Sequence, residues 1–236
     1  MEILFCICWG IFTGGASVWI AQHFFSGQNL TVRRETVLRY SGKSLVKHAF
    51  FSERCKNNKI YIWAEGLQIF IMLLLYQQYG FSPLFFGLSF FSILILSIAI
   101  IDGERGIIPD SLLGLLGIGA IFFCFFEAER SLFFLLEGFV AGGGVLWSIF
   151  LLSHGGMGEG DIKFAAVIGL WLGWEICLLM LFLAFFFGAA AGLFLLQKRK
   201  ASLQDAVPFG PFLAGAACIC CLYGNEILAF YQGVFL

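Results

Sequence analysis

The sequence predicts an all-α membrane protein, a polytopic bundle of about eight transmembrane helices. Of its 236 residues, 60% are hydrophobic and only 12% are charged, and its mean hydropathy is +0.92. Soluble domains average about 25% charged residues, so this composition is typical of a chain whose solvent is largely lipid. Two further observations support this fold class: a series of long apolar runs and the uneven placement of basic residues between them.

Each predicted helix is an apolar run close to the length that crosses a bilayer. About 20 residues, rising ~1.5 Å each, cover a hydrocarbon core of ~30 Å. The runs that approach this length are 3–22, 61–79, 83–101, 111–126, 132–152, 162–173, 176–196 and 207–223. The sixth run is short and joins the seventh through Gly173-Trp174-Glu175, so one kinked helix and a total of seven spans is the alternative.

Basic residues are concentrated in every second connection between these runs. If the N-terminus is periplasmic, the cytoplasmic segments are 23–60, 102–110, 153–163 and 197–206. These segments hold 13 of the 14 basic residues, and only Arg130 lies outside. Because cytoplasmic loops are enriched in Lys and Arg, the charges predict a periplasmic N-terminus. The same topology places Asp102, Asp110 and Asp161 on the cytoplasmic face.

The chain divides into two predicted parts. Residues 1–79 contain two helices and the basic segment 23–60, and residues 80–236 contain the remaining helices. At about 38 residues, segment 23–60 is too short for a stable independent domain. Two roles for this segment remain open, binding of anionic lipid headgroups and contact with a substrate.

Two glycine pairs have a spacing that favours close helix packing. Gly138 and Gly142 form one Gly-x-x-x-Gly pair, and Gly188 and Gly192 form the other. Small residues four positions apart let two helix backbones approach each other. We therefore predict packing contacts rather than chemistry at both pairs.

Two aspartates differ from the other acidic residues of the chain. Asp102 closes the apolar run FFSILILSIAII and precedes a short turn, and Pro109 suits the start of the next helix. Asp161 stands at the predicted start of the sixth helix, where free N–H groups favour a negative charge. Gly158 and Gly160 leave the approach to Asp161 without side chains, so the backbone of an extended peptide could come close.

Two carboxyl groups brought together can share one proton and activate water. The ionised carboxylate accepts a proton from water and the protonated one polarises a peptide carbonyl. This chemistry requires no metal, and the three histidines show no metal-ligand spacing. From the residues alone, a proton- or ion-coupled transporter that uses the same acids stands beside a two-aspartate protease. Glu65 and Glu137 are predicted to have packing roles.

Three segments together resemble a known family. GMGEGDIKFAAVIGLWLGW at 156–174 and IDGERGIIPD at 101–110 are similar to the two aspartate segments of type IV prepilin peptidases, membrane aspartyl proteases of the GxGD class. AVPFGPFLAGA at 206–216 resembles their late P-F-G-P-F-L-A segment. The resemblance covers roughly residues 85–222. It identifies the family, and it favours the protease over the transporter.

The resemblance implies a site and a role for the protein. The catalytic pair would be Asp102 and Asp161, and the residues that shape the site or contact the substrate would be Gly158, Gly160, Lys163, Asp110 and Glu104. The implied substrate is a type IV prepilin or pseudopilin, cut at the cytoplasmic face of the bacterial inner membrane. The expected partners are this substrate and the lipid bilayer, without nucleic acid; the oligomeric state is left open.

The N-terminal part departs from the family pattern. Many members bind zinc through two Cys-x-x-Cys pairs in the first cytoplasmic loop and also methylate the new N-terminus. Here Cys55 is the only cysteine between residues 9 and 60, and one cysteine cannot hold a structural zinc ion. We therefore expect no zinc, no cofactor for proteolysis, and S-adenosylmethionine only if methylation is retained.

Overall fold

The fold is taken from a computed structural model that describes residues 2–29, 59–127, 130–153, 156–197 and 208–235. Most of the predicted basic segment 23–60, including Cys55, lies outside the described residues. So do the basic residues 198–200. Predictions about zinc binding and about this segment therefore stay predictions.

All regular secondary structure of the described residues is α-helical, which confirms the predicted fold class. In chain order the helices are α1 (Glu2–Asn29), α2 (Lys59–Tyr79), α3 (Pro83–Arg105), α4 (Asp110–Cys124), α5 (Leu132–Leu152), α6 (Glu159–Leu172), α7 (Trp174–Gln197) and α8 (Gly210–Phe235). Within the described ranges, five helices are long and apolar enough to cross a membrane: α1, α3, α5, α7 and α8. The protein is therefore a multi-pass membrane protein, and the count of eight spans stays a prediction.

The ends of α3 and α5 follow from local capping residues. The hydroxyl groups of Ser82 and Ser131 accept hydrogen bonds from the first turns of α3 and α5, which satisfies donors that have no partner within the helix. Gly106 ends α3 with a φ of +65°, a left-handed conformation that favours glycine. The helix thus runs past the predicted end at 101, and Asp102 lies in its last turn rather than at its end.

Neighbouring helices run in opposite directions, so that the connections alternate between two ends of the bundle. At one end, which we call the aspartate end, the N-terminus of α8 contacts Asp102 and Lys163 on α6 contacts Asp110 on α4. At the other end, which we call the distal end, the pairs that join different helices include Tyr76–Glu2 and Gln78–Glu226. The three predicted cytoplasmic aspartates therefore share one end of the molecule.

The helices α6 and α7 are separate and reverse direction at Gly173. The φ of Gly173 is +75°, and a Cβ atom there would lie 2.3 Å from the ring of Phe134. On α7, Ile176 meets Gly224 near the distal end of α8, whereas Gly188 meets the ring of Phe209 at the aspartate end. The chain therefore forms two helices here, not one kinked helix.

Close backbone packing occurs at one of the two predicted glycine pairs. Cβ atoms at Gly138 and Gly142 would lie 2.0 Å and 2.3 Å from carbonyl oxygens of α6, so α5 and α6 touch backbone to backbone. At Gly192 an added Cβ would meet no atom of the described residues within 4 Å, so the part of the chain that the structure describes shows no close contact there. A close contact that the sequence analysis missed lies between α1 and α2, where a Cβ at Gly10 would lie 2.9 Å from the Cα of Ile69.

Arg130 holds the distal end of α6 in place. Its Nη1 donates to the backbone carbonyl of Trp171 at 3.0 Å, one of the last carbonyls of α6 that lack a partner within the helix. The guanidinium also lies over the rings of Phe123 and Phe134, at 5.2 Å and 5.7 Å from their centroids. Arg130, the one basic residue outside the predicted cytoplasmic segments, thus caps α6 and joins it to α4 and α5.

The first two helices pack on α3 through buried polar groups. Gln68 on α2 is fully buried and donates to the hydroxyl of Ser92 at 2.9 Å, and Ser97 donates to the backbone carbonyl of Ser17 on α1 at 3.2 Å. The main hydrophobic core is formed by buried side chains of all the helices from α3 to α8, and the buried Trp171 on α6 is part of it. The division of the chain at residue 80 stays a prediction.

Candidate active site

Asp102 is buried where the C-terminus of α3 meets the N-terminus of α8. Only 5% of its surface is exposed. Its backbone carbonyl accepts the N–H of Gly106 at 2.7 Å, and its carboxylate oxygen Oδ2 accepts the N–H of Gly210 at 2.9 Å. A buried carboxylate is costly unless it is hydrogen-bonded, and Gly210 provides that hydrogen bond.

Asp161 is part-buried in the first turn of α6. Gly158 is the N-cap of this helix, and its carbonyl accepts the backbone N–H of Asp161 at 3.2 Å. Burial raises the pKa of Asp161 to about 6, and the negative charge of Asp102 adds to the increase. The two predicted catalytic carboxyl groups, 59 positions apart in the sequence, are therefore electrostatically coupled at the aspartate end.

The two glycines before Asp161 make room for the protein's own side chains. A Cβ at Gly158 would lie 3.1 Å from Oδ2 of Asp161, and a Cβ at Gly160 would lie 3.1 Å from the Cβ of Ile108. Gly158 thus leaves space for the aspartate itself, and Gly160 lets the turn before α4 approach α6. Their predicted role toward a substrate backbone stays a prediction.

Lys163 and Asp110 form an ion pair between α6 and α4. The distance from Nζ to Oδ1 is 2.8 Å, and the side chains are 54% and 74% exposed. Exposed pairs of this kind contribute about 0–1 kcal/mol, so the pair orients two helix N-termini more than it stabilises the fold. Glu104 is exposed near the end of α3, three positions beyond the buried Ile101.

Gly210 is a site residue that the sequence analysis did not name. It lies in the AVPFGPFLAGA segment, whose family resemblance was noted without a role for any residue. Its contact with Asp102 joins positions 108 apart. The local signal was a glycine followed by Pro211 at the start of an apolar run, which is typical of a helix N-terminus and says nothing about the partner.

The described residues contain no group of three or more His, Cys, Asp or Glu side chains that could hold a metal ion. Cys55 is not among them, so the prediction of no zinc remains untested. The seven cysteines within the described ranges are free thiols.

Comparisons with known proteins cover the segment that contains both aspartates. Residues 88–193 match the type IV leader peptidase family. A protein of Stutzerimonas stutzeri is 36% identical over 146 residues, which cover 58% of this chain and 49% of the relative. A Legionella pneumophila protein is 35% identical over 187 residues, 75% of this chain and 63% of the relative. Both are named prepilin leader peptidase/N-methyltransferase. No solved structure matches the chain significantly.

Together, the fold and these matches show that the protein is a multi-pass helical membrane protein with a peptidase domain. Residues 88–193, the segment that carries both Asp102 and Asp161, are similar to the type IV leader peptidase family. The predicted family resemblance is confirmed. The match spans about half the length of the first curated relative, so the activity and substrates of the whole protein are matters for proposal.

Gly158→Ala is expected to slow catalysis without unfolding the protein. The new methyl group would crowd Oδ2 of Asp161 at 3.1 Å, and a shift of a few tenths of an ångström of this carboxylate costs rate rather than stability. We expect kcat to fall about tenfold, with KM and the melting temperature nearly unchanged. Steady-state kinetics of peptide cleavage by the purified chain measure this effect. Gly114→Ala, which places a methyl group in open space on α4, is the matched control.

Proposed function

We propose that the chain is an aspartyl endopeptidase that removes the leader peptide of type IV prepilins or pseudopilins, with Asp102 and Asp161 as the catalytic pair. The observation that carries the proposal is that these two carboxyl groups are electrostatically coupled: the charge of the buried Asp102 contributes to the raised pKa of the part-buried Asp161. Both lie within the segment that matches the type IV leader peptidase family. Relatives named prepilin leader peptidase support the choice of substrate.

The pair acts with one proton between its two carboxyl groups. The ionised carboxylate takes a proton from a water molecule as the water oxygen attacks the scissile carbonyl carbon, and the protonated carboxyl donates its proton to the carbonyl oxygen. The tetrahedral intermediate then collapses. Its C–N bond breaks, the leaving nitrogen receives the proton taken from water, and a hydroxyl proton returns to the second carboxylate. The pair ends in its starting state.

We place the aspartate end at the cytoplasmic face of the bacterial inner membrane. The support is the charge distribution, because the connections on this side hold 13 of the 14 basic residues. A prepilin leader that enters from the cytoplasm would then meet Asp102 and Asp161 at the membrane surface. Asp110, Glu104 and Lys163 line the same end and are our candidates for contact with the leader.

The transporter alternative gains no support. Transport of protons or ions predicts acidic residues near the middle of the membrane on broken helices. Asp102 and Asp161 instead lie in the terminal turns of α3 and α6, and the named relatives are peptidases. We therefore carry only the peptidase forward.

Mass spectrometry of a processed substrate tests the proposal directly. The purified chain, reconstituted in nanodiscs, is incubated with a full-length type IV prepilin. Release of the leader at a single peptide bond is the expected result, and an intact prepilin in the presence of folded enzyme would contradict the proposal. The mass of the new N-terminus also reports whether a methyl group has been added when S-adenosylmethionine is present.

Cleavage is expected to weaken as the pH rises through about 6. The pair needs its shared proton, and because burial and the charge of Asp102 raise the pKa of Asp161 to about 6, this proton is lost above that pH. The ratio kcat/KM, which reports the free enzyme, should then fall about tenfold per pH unit on the alkaline side. Initial rates from about pH 5 to about pH 9 measure the profile. A flat profile up to about pH 8 would contradict the shared proton.

A further inference from the structure

The first residue of α8 holds one of the two catalytic aspartates. The N–H of Gly210 donates to Oδ2 of Asp102 at 2.9 Å, and both residues are buried. The carbonyl of Phe209 accepts the N–H groups of Phe212 and Leu213, which makes Phe209 the N-cap of α8 and Gly210 its first helical residue. Gly210 lies outside the segment 88–193 that matches the peptidase family.

A helix N-terminus has free N–H donors and a partial positive charge, and both stabilise a negative group in front of it. In α8, Pro211 at the second helical position has no N–H. Gly210 therefore provides the N–H that faces Asp102. A single donor engages a single carboxylate oxygen. The hydrogen bond to Oδ2 therefore leaves Oδ1 of Asp102 to accept a hydrogen bond from water.

Only glycine fits at position 210. A Cβ atom there would lie 2.6 Å from Oδ2 of Asp102, 3.0 Å from its Cγ and 3.1 Å from its Cβ. Rotation of the carboxylate could relieve the first contact only by breaking the hydrogen bond. The contact with the Cβ of Asp102 would remain, because that atom is fixed to α3. The glycine thus sets both the position of α8 against α3 and the orientation of the carboxylate.

The two aspartates are held differently. Among the described residues, no hydrogen-bond donor reaches the carboxyl group of Asp161; its backbone N–H bonds to Gly158, and its side chain is only part-buried. Asp102 is the more buried of the two and is the one that receives a backbone donor. Because an N–H donor favours the ionised form of the oxygen that accepts it, the surroundings of the pair are asymmetric.

We propose that Gly210 is a positioning residue that divides the roles of the pair. Its N–H favours the ionised form of Asp102, against the effect of burial on that carboxyl, and leaves Oδ1 to the attacking water, while Asp161 carries the shared proton. Asp102 then takes the proton from water and passes it to the leaving nitrogen. Asp161 donates its proton to the carbonyl oxygen and regains one from the hydroxyl of the collapsing intermediate. This division rests on the proposed peptidase function.

The test compares Gly210→Ala with Gly215→Ala in the full-length chain. Gly215 lies on the same helix, and a Cβ there would meet no atom of the described residues within 4 Å. We expect Gly210→Ala to lower kcat on a prepilin about 10- to 100-fold while KM changes less than about threefold, because the step that suffers is proton transfer from water. Gly215→Ala should keep both constants. A folded Gly210→Ala enzyme with normal kcat would overturn the proposal.

An infrared titration of the carboxyl groups decides the division of roles even if Gly210→Ala fails to fold. In difference spectra of the purified chain, Asp161→Asn should remove the carboxyl signal that titrates at about pH 6. Asp102→Asn should leave a titrating carboxyl with a lower midpoint, since the neighbouring charge is gone. The reverse assignment would overturn the proposal. Cleavage by either Asn variant would instead refute the catalytic pair itself, which keeps the two failures distinct.

Discussion

Asp102→Asn and Asp161→Asn should each reduce prepilin cleavage by about 10³-fold or more. An amide can neither take a proton from water nor donate one to a carbonyl oxygen as an acid, and acid–base catalysis contributes about 10²–10⁴-fold for each group. Because the two carboxyl groups act as one unit, the double variant should be no slower than the slower single variant. Single-turnover cleavage of a prepilin in nanodiscs measures the three rates.

The loss should not come from unfolding. The pKa of Asp161 is raised from 3.8 to about 6 in the folded protein, so its ionised form is disfavoured by folding. The Asn variant is therefore expected to melt at or above the wild-type temperature at pH values above 6, and the difference should vanish below about pH 4, where both states are protonated. Glu175→Gln, at an exposed position near the distal end, is a control for amide substitution and should cleave normally. Full activity in either aspartate variant would contradict the catalytic pair.

Gly138→Ala should strongly destabilise the bundle. The new methyl group would lie 2.0 Å from the carbonyl oxygen of Gly169, and because this neighbour is backbone, α5 and α6 must separate to relieve the contact. Overpacking of this kind costs about 1–3 kcal/mol or more, which lowers the melting temperature of a chain of this size by roughly 2–12 °C. Since α6 carries Asp161 in its first turn, cleavage should fall in parallel.

A second glycine of α5 offers a matched control. Within the part of the chain that the structure describes, a Cβ at Gly144 would meet nothing within 4 Å, so Gly144→Ala adds a methyl group without a clash there. Alanine is also the better helix former by about 1 kcal/mol, and the melting temperature should stay constant or rise slightly. Thermal unfolding in one detergent compares both variants with the wild type. Equal melting temperatures for the two variants would show that the α5–α6 contact is not tight.

Local patterns in the sequence predicted the helices but not all of their ends. The apolar run that became α3 was expected to end at 101, whereas α3 continues to Arg105 because Gly106 is the residue that adopts the left-handed conformation. The run expected at 162–173 begins at Glu159, which puts Asp161 inside the first turn of α6. A helix can continue through polar residues beyond its apolar run until a residue such as glycine ends it. Hydropathy alone therefore misplaces the ends of such helices.

The two candidate aspartates could be found in the sequence because their local context is distinctive. Each lies at the border of an apolar run, and Gly158 and Gly160 mark the approach to Asp161. Arg130 and Gly210 have no comparable local sequence context that would predict their roles. Their partners, Trp171 and Asp102, are 41 and 108 residues away, and no local pattern records which backbone carbonyl or carboxylate a distant group will meet.

The sequence by itself determined the class of this protein and predicted its candidate site. Apolar runs require helices in lipid, because backbone polar groups must be paired there, and the aspartate segments at 101–110 and 156–174 carry the family resemblance. Only the tertiary structure decided how Asp102 and Asp161 differ. That difference depends on burial and on the Gly210 N–H donor at the start of α8, which are properties of the packed helices and of no single segment.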